Sequence, residues 1–214
     1  MEVARCLLLW GYSDNDVEHF RPKARIVDAK TNALKHWYWF LAFNPKNYRF
    51  SCTFCNQVRT NPETGISSGK GNAFPLLDAN PHAHNEADLI NERPMLLDPC
   101  KPDDENYLHF KSMVAPFYRL NFKNDAIAKK RVETSTLLFN LDFPSFVEER
   151  ERLFNKVQVA VLNGDLAFED NNQMALDFIK NSLITLMAPE AEFSKAAEWY
   201  IRLFRDRPWV DELF

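Results

Sequence analysis

Nowhere in the 214 residues does an apolar run approach the roughly 20 residues that cross a bilayer. The longest candidate near the start, Cys6-Leu7-Leu8-Leu9-Trp10, is too short for the apolar part of a signal peptide and lacks a cleavage site of small residues. The expectation is a soluble, cytoplasmic chain with no membrane contact. Cysteine is also scarce: Cys6, Cys52, Cys55 and Cys100 are the whole supply, poor material for a disulfide framework in a cytosolic chain. A glycine-rich loop of the nucleotide-binding type is missing, so if ATP is used, the expectation is that a partner binds it. There is no internal repeat and no low-complexity segment.

Positive charge is not in surplus either. A net charge of −4 excludes a protein that coats nucleic acid nonspecifically. The charge is unevenly spread, however. Residues 1–72 hold ten Lys/Arg against six Asp/Glu, and the remainder holds 16 against 24. Local positive charge on an acidic protein suits a confined phosphate site, though ordinary variation between halves accounts for it equally well. What the chain does have is apolar and aromatic material, 46% and 14%, enough to bury a substantial core.

Patterning predicts an α+β protein. Residues 15–28 read as strand and loop, and Asn47–Ser51 as a short strand ending at Cys52. A short helix is expected over 53–59, then a flexible loop over Gly65–Gly71. The aromatic cluster His36–Phe43 suits a short buried helix or a strand, and periodicity does not decide between them. Residues 74–104 read as loops, and Tyr107–Phe110 and Val114–Tyr118 as strands. Helices are expected over Asp125–Leu137, Pro144–Leu162, Gln173–Met187 and Ser194–Phe204. The second of these places Phe146, Leu153, Val157 and Val161 on one face and stops at Asn163-Gly164-Asp165. The expected organisation is a core over 1–75, a loop-rich wrap over 76–120 and a helical region over 121–214.

Three pieces carry chemistry: Asp16-Val17-Glu18-His19-Phe20-Arg21-Pro22-Lys23, Asn47 before a strand, and Cys52-Thr53-Phe54-Cys55-Asn56-Gln57-Val58-Arg59. Phosphodiester hydrolysis needs an activated water, a Lewis acid on the scissile phosphate and positive charge near the transition state. A histidine on a strand can act as base. A neighbouring carboxylate and an amide oxygen can hold Mg²⁺, which prefers oxygen ligands. Alone, each piece is weak: Glu-His dipeptides are mostly surface accidents, and one C-x-x-C suits half a zinc site, a redox pair or two core thiols.

In order, D-x-E-H-F-R-P-K, W-x-x-A (Trp39–Ala42), N-x-x-x-x-C-x-x-C-N (Asn47–Asn56), F-P-L (Phe74–Leu76) and E-R-P-x-L-L-D-P (Glu92–Pro99) resemble one branch of the HNH nucleases. That branch includes the HNH subunits of Septu anti-phage systems and of some retrons. The resemblance implies a ββα-metal core followed by a mainly helical region, and a metal-dependent DNA endonuclease with an SMC/ABC-type ATPase partner. It makes His19 the general base, Glu18 and Asn56 the ligands of Mg²⁺ or Mn²⁺, Asn47 the residue that orders the loop and positions His19, and Arg59 a phosphate contact. Arg21, Lys23 and Lys70 are second-tier phosphate or DNA contacts, and an ion pair stapling the unit is an equal reading of Arg21.

The chain departs from its relatives in two places. They commonly carry a second C-x-x-C upstream, completing a four-cysteine zinc site, whereas here the matching place reads Cys6-Leu7-Leu8-Leu9. Cys6, Cys52 and Cys55 alone leave structural zinc short of a fourth ligand, and Cys100 sits in a packing context. The expectation is little bound zinc, with Leu7–Trp10 packing in place of part of the clamp. The other departure is the insert Thr60–Gly69. Alternatives to the nuclease are a catalytically silent interaction subunit on the same scaffold and a zinc-type DNA-binding module. His36 and His109 read as structural, and His82-x-His84 lacks a supporting carboxylate.

Overall fold

A computed structural model describes residues 15–26, 37–77, 82–110, 117–118, 124–189 and 191–214, with the side chains of 15, 16, 52–54, 102, 105, 117 and 118 left aside. The fold is α+β, with helices and small two-stranded sheets. It divides into two compact units. One holds the described residues up to Leu108 together with 117–118 and 124–142; the other holds 109–110 and everything described from Phe143 onward. Among the described residues no helix is long and apolar enough to cross a membrane.

In the first unit, β1 (Asn15–His19) pairs antiparallel with β2 (Tyr48–Cys52), with His19 opposite Tyr48 and Glu18 opposite Arg49. The chain then enters α1 (Thr53–Asn56) without a connecting loop. The helix expected over 53–59 therefore stops at Asn56. Its continuation would need the Cys55 and Asn56 carbonyls, and these instead accept from the backbone N–H of Lys70 (3.4 Å) and Gly71 (2.9 Å). The residues after it form β3 (Arg59–Thr60), paired with β4 (Ser67–Ser68). The segment 65–71, expected as a flexible loop, thus supplies a strand and then returns to close over α1. Gly69 is required there, because a Cβ would lie 2.5 Å from the Gln57 carbonyl oxygen.

The core of this unit gathers Phe20, Ile26, Tyr38, Leu41, Phe74, Ala83 and Leu96. The aromatic cluster that sequence left between helix and strand is a 3₁₀ turn, Trp39–Leu41. It buries Tyr38 and Leu41 but leaves Trp39 62% and Phe43 92% exposed. His36 lies outside the described residues. Beyond come α2 (Pro102–Glu105), β5 (Leu108–His109), shorter than the strand expected over Tyr107–Phe110, β6 (Phe117–Tyr118), the described part of the strand expected over Val114–Tyr118, and α3 (Ala126–Leu138). Asp125 caps α3 by accepting from the N–H of Ile127 and Ala128.

The second unit is a helical assembly of α4 (Pro144–Glu169), α5 (Gln173–Met187), α6 (Ser194–Arg202) and α7 (Pro208–Asp211). Phe146, Val157 and Val161 line the buried face of α4, as their spacing requires, while Leu153 is only partly covered. Burial of each such large side chain contributes about 1.5–3 kcal/mol. The helix does not stop at Asn163-Gly164-Asp165. Gly164 is a packing residue: the Trp209 ring lies where its Cβ would be, 2.3 Å away at Cη2. Asp165 accepts from Trp209 Nε1 at 3.0 Å and from Arg207 Nε at 2.8 Å. The actual break comes at Asn171, in the left-handed region at φ 55°, and Asn172 caps α5 through the Ala175 N–H.

Candidate active site

Asn47 joins the two arms that carry the site. Its Oδ1 accepts from the Arg21 N–H at 2.8 Å, its Nδ2 donates to the Arg21 carbonyl at 2.9 Å, and its own carbonyl accepts from the Phe20 N–H at 2.8 Å. One buried side chain thus satisfies both backbone groups of the residue two places after His19. The amide is uniquely suited to this, having a donor and an acceptor side by side.

The His19 ring is 7% exposed and held edge-on to Tyr48, with centroids 5.1 Å apart. Its Nε2 is 2.8 Å from the Ala42 carbonyl oxygen, which can only accept, so Nε2 carries the hydrogen. In the neutral ring Nδ1 is then the basic nitrogen. Tyr48 Oη donates to the same carbonyl at 3.1 Å.

Glu18 lies beside α1. Its Oε2 accepts from Asn56 Nδ2 at 3.1 Å, which brings the two expected metal ligands together. Its Oε1 accepts from Lys70 Nζ at 3.0 Å. It is the amide nitrogen of Asn56 that faces the carboxylate; with the amide turned by half a rotation its oxygen and the Glu18 carboxylate would form the hard oxygen pair that Mg²⁺ or Mn²⁺ prefers, and both residues are partly exposed, so water could complete a coordination shell.

The basic residues separate into two groups. Lys23 is exposed, and Arg59 lies partly exposed on β3, just beyond α1. Arg21 and Lys70 are engaged inside. Arg21 Nε donates to Glu92 Oε2 at 2.8 Å, with its guanidinium against the Phe20, Tyr38 and Phe74 rings, so the ion pair anticipated as one reading of this residue is present. Lys70 Nζ is buried, donating also to the His19 carbonyl at 2.7 Å. Burial lowers its pKa, and the Glu18 carboxylate pulls in the opposite direction.

Two carboxylates given no role by the motif reading hold this framework. Glu92 takes Arg21, the Tyr38 hydroxyl (2.6 Å) and the Ala83 N–H (2.7 Å). Burial first, and then Glu92, raise the Tyr38 phenol pKa. Asp98 takes Arg49 through both oxygens. The signal was available: E-R-P-x-L-L-D-P places two acids around an apolar run, a position where charges survive burial only when paired.

Cys55 is buried and Cys100 exposed, while Cys6 and the side chain of Cys52 lie outside the described residues. Among the described residues no group of three or more His, Cys, Asp or Glu is arranged to hold a metal. His82 approaches the Phe74 carbonyl oxygen at 2.9 Å, His84 is exposed, and His109 stacks on Trp199 at 4.4 Å.

The chain is 28% identical over 156 residues to Septu protein PtuB of Bacillus mycoides (strain KBAB4), a match covering 71% of this chain and 47% of that protein. The chain thus spans about half the length of the curated relative it matches. No family model and no solved structure matches. The resemblance to a Septu protein, read first from the motif order between Asp16 and Pro99, is present across most of the chain.

Proposed function

We propose that this protein is a metal-dependent DNA endonuclease of the HNH type, with β1, β2 and α1 as its ββα unit, acting as the effector of an anti-phage defence complex. The observation that carries this reading is the meeting of Glu18 with Asn56, with the residue that follows Glu18 on β1 a histidine whose Nε2–H is fixed on a backbone carbonyl. That anchoring leaves Nδ1 as the base that takes a proton from water as it attacks the phosphate. Glu18 and Asn56 would hold Mg²⁺ or Mn²⁺, which supplies Lewis-acid stabilisation of the scissile phosphate and the leaving oxygen. Arg59, partly exposed, and Lys23, exposed, contact phosphates. Arg21, taken by Glu92, braces the base from behind Asn47. The likeness to a Septu protein supports a complex, and the motif resemblance implies an SMC/ABC-type ATPase as the partner that directs cleavage.

A plasmid-nicking assay with Mg²⁺ or Mn²⁺, comparing the unaltered protein with His19→Ala, tests the reading. Metal-dependent nicking that is lost in the variant is the expected result. Equal nicking by both proteins moves the active site elsewhere, and no nicking together with stoichiometric zinc favours a binding module.

A further inference from the structure

Lys70 was expected at the phosphate and is instead among the most deeply buried charged groups of the first unit, with 4% of its surface exposed. A lysine that greets phosphates needs reach and water; this one has neither. Its ammonium faces three oxygens: the His19 carbonyl at 2.7 Å, Glu18 Oε1 at 3.0 Å and the Gly71 carbonyl at 3.4 Å. Three donors meet three acceptors, the full capacity of an ammonium.

The backbone on either side is fastened as well. The Lys70 N–H reaches the Cys55 carbonyl and the Gly71 N–H reaches the Asn56 carbonyl. The same two residues therefore grip α1 through their backbone and the end of β1 through the lysine side chain. The spacing between Glu18 and Asn56 is set by this clip.

Resting on the reading of Glu18 and Asn56 as the cation site, we propose that Lys70 is a positioning residue and resident counter-cation. It occupies Oε1 of Glu18, leaves Oε2 alone to face Asn56, and weakens the hold of the site on a divalent cation until nucleic acid arrives. The physical reason is charge. A carboxylate alone presents −1 to an entering dication, and a lysine ammonium 3.0 Å from it brings the local sum to about zero. Phosphates of a bound substrate restore the negative charge, so cation and nucleic acid are taken up together. Loading is thereby coupled to substrate.

The test is Mn²⁺ binding to the full chain without nucleic acid, followed by electron paramagnetic resonance, for the unaltered protein, Lys70→Met and Glu18→Gln. Methionine keeps the apolar length and removes the charge; Lys70→Gln is the second variant should Lys70→Met not fold, and circular dichroism checks both. The expected result is Mn²⁺ bound at least about tenfold more tightly by the Lys70 variant, with Glu18→Gln abolishing the binding. Unchanged or weaker binding by a folded Lys70 variant, with Glu18 still required, overturns the counter-cation role and leaves the nuclease reading standing. No Glu18-dependent binding in any of these proteins overturns both.

Discussion

Arg49 and Asp98 form a two-point ion pair across 49 residues of sequence, Nε to Oδ1 at 2.6 Å and Nη2 to Oδ2 at 2.7 Å, with both side chains almost fully buried. Arg49 lies on β2 opposite Glu18, so this pair fixes the strand that Glu18 is paired with. Asp98 also accepts from the N–H of Cys100. A buried charge that loses its partner is costly. Asp98→Ala should therefore lower stability by about 3–5 kcal/mol, whereas replacing both partners with apolar residues should cost less than the single change. Chemical denaturation of the two variants and the unaltered protein measures this.

For His19→Ala, DNA cleavage should fall by about 10²–10⁴-fold. The ring is buried, but the Ala42 carbonyl keeps a donor in Tyr48, so the stability cost should stay near 1 kcal/mol. Nicking rates and thermal melting of the same preparation separate the two effects.

Asn47→Ala strips the Arg21 backbone of both its partners, and should cost about 1–3 kcal/mol because an amide and a carbonyl are left unmet. Asn47→Asp restores only the acceptor and should not recover the full loss. Urea midpoints for both variants, alongside cleavage rates, test the bracing role.

Gly164→Ala adds a methyl where the Trp209 ring lies, and overpacking of this kind costs about 1–3 kcal/mol. The helix would favour alanine by roughly 1 kcal/mol were the site open, so the sign of the effect is diagnostic. Thermal melting and the near-ultraviolet tryptophan signal should both change; a more stable variant would show that Trp209 does not pack there.

Tyr200 should make stability fall in alkali. Burial pushes its phenol up to about 12, with Arg150 acting in the opposite direction. An unfolded tyrosine ionises near 10. The protonated folded form therefore contributes in full below about pH 10, and the contribution is lost as pH rises through 12. The slope over that window is about 1.4 kcal/mol per pH unit. Denaturation midpoints between pH 8 and 11.5 should decline less steeply for Tyr200→Phe than for the unaltered protein.

Much of the secondary structure was legible because its causes are local. The alternation Asn47–Ser51 and the spacing of Phe146, Val157 and Val161 each reflect one period, and Asp125 and Asn172 are caps that act within three residues. The misreadings arose where a distant group competed for the backbone or its space. Lys70 and Gly71 took the carbonyls that would have extended α1, and Trp209 kept Gly164 inside a helix that local propensity would have ended.

From the sequence alone came the order and identity of the chemical groups: Glu-His, then an asparagine before a strand, then a second asparagine after C-x-x-C. Residue type and spacing are properties of the chain, and they determine what chemistry is available. The partners of those groups were decided only by the tertiary structure. Arg21 read as either a second-tier phosphate contact or one half of an ion pair and Lys70 as a second-tier phosphate contact, and spacing along the chain named the partner of neither. Folding brought Glu92 to the first across 71 residues and Glu18 to the second across 52. Burial then made those pairings obligatory, since a charge removed from water must find its opposite within hydrogen-bonding distance.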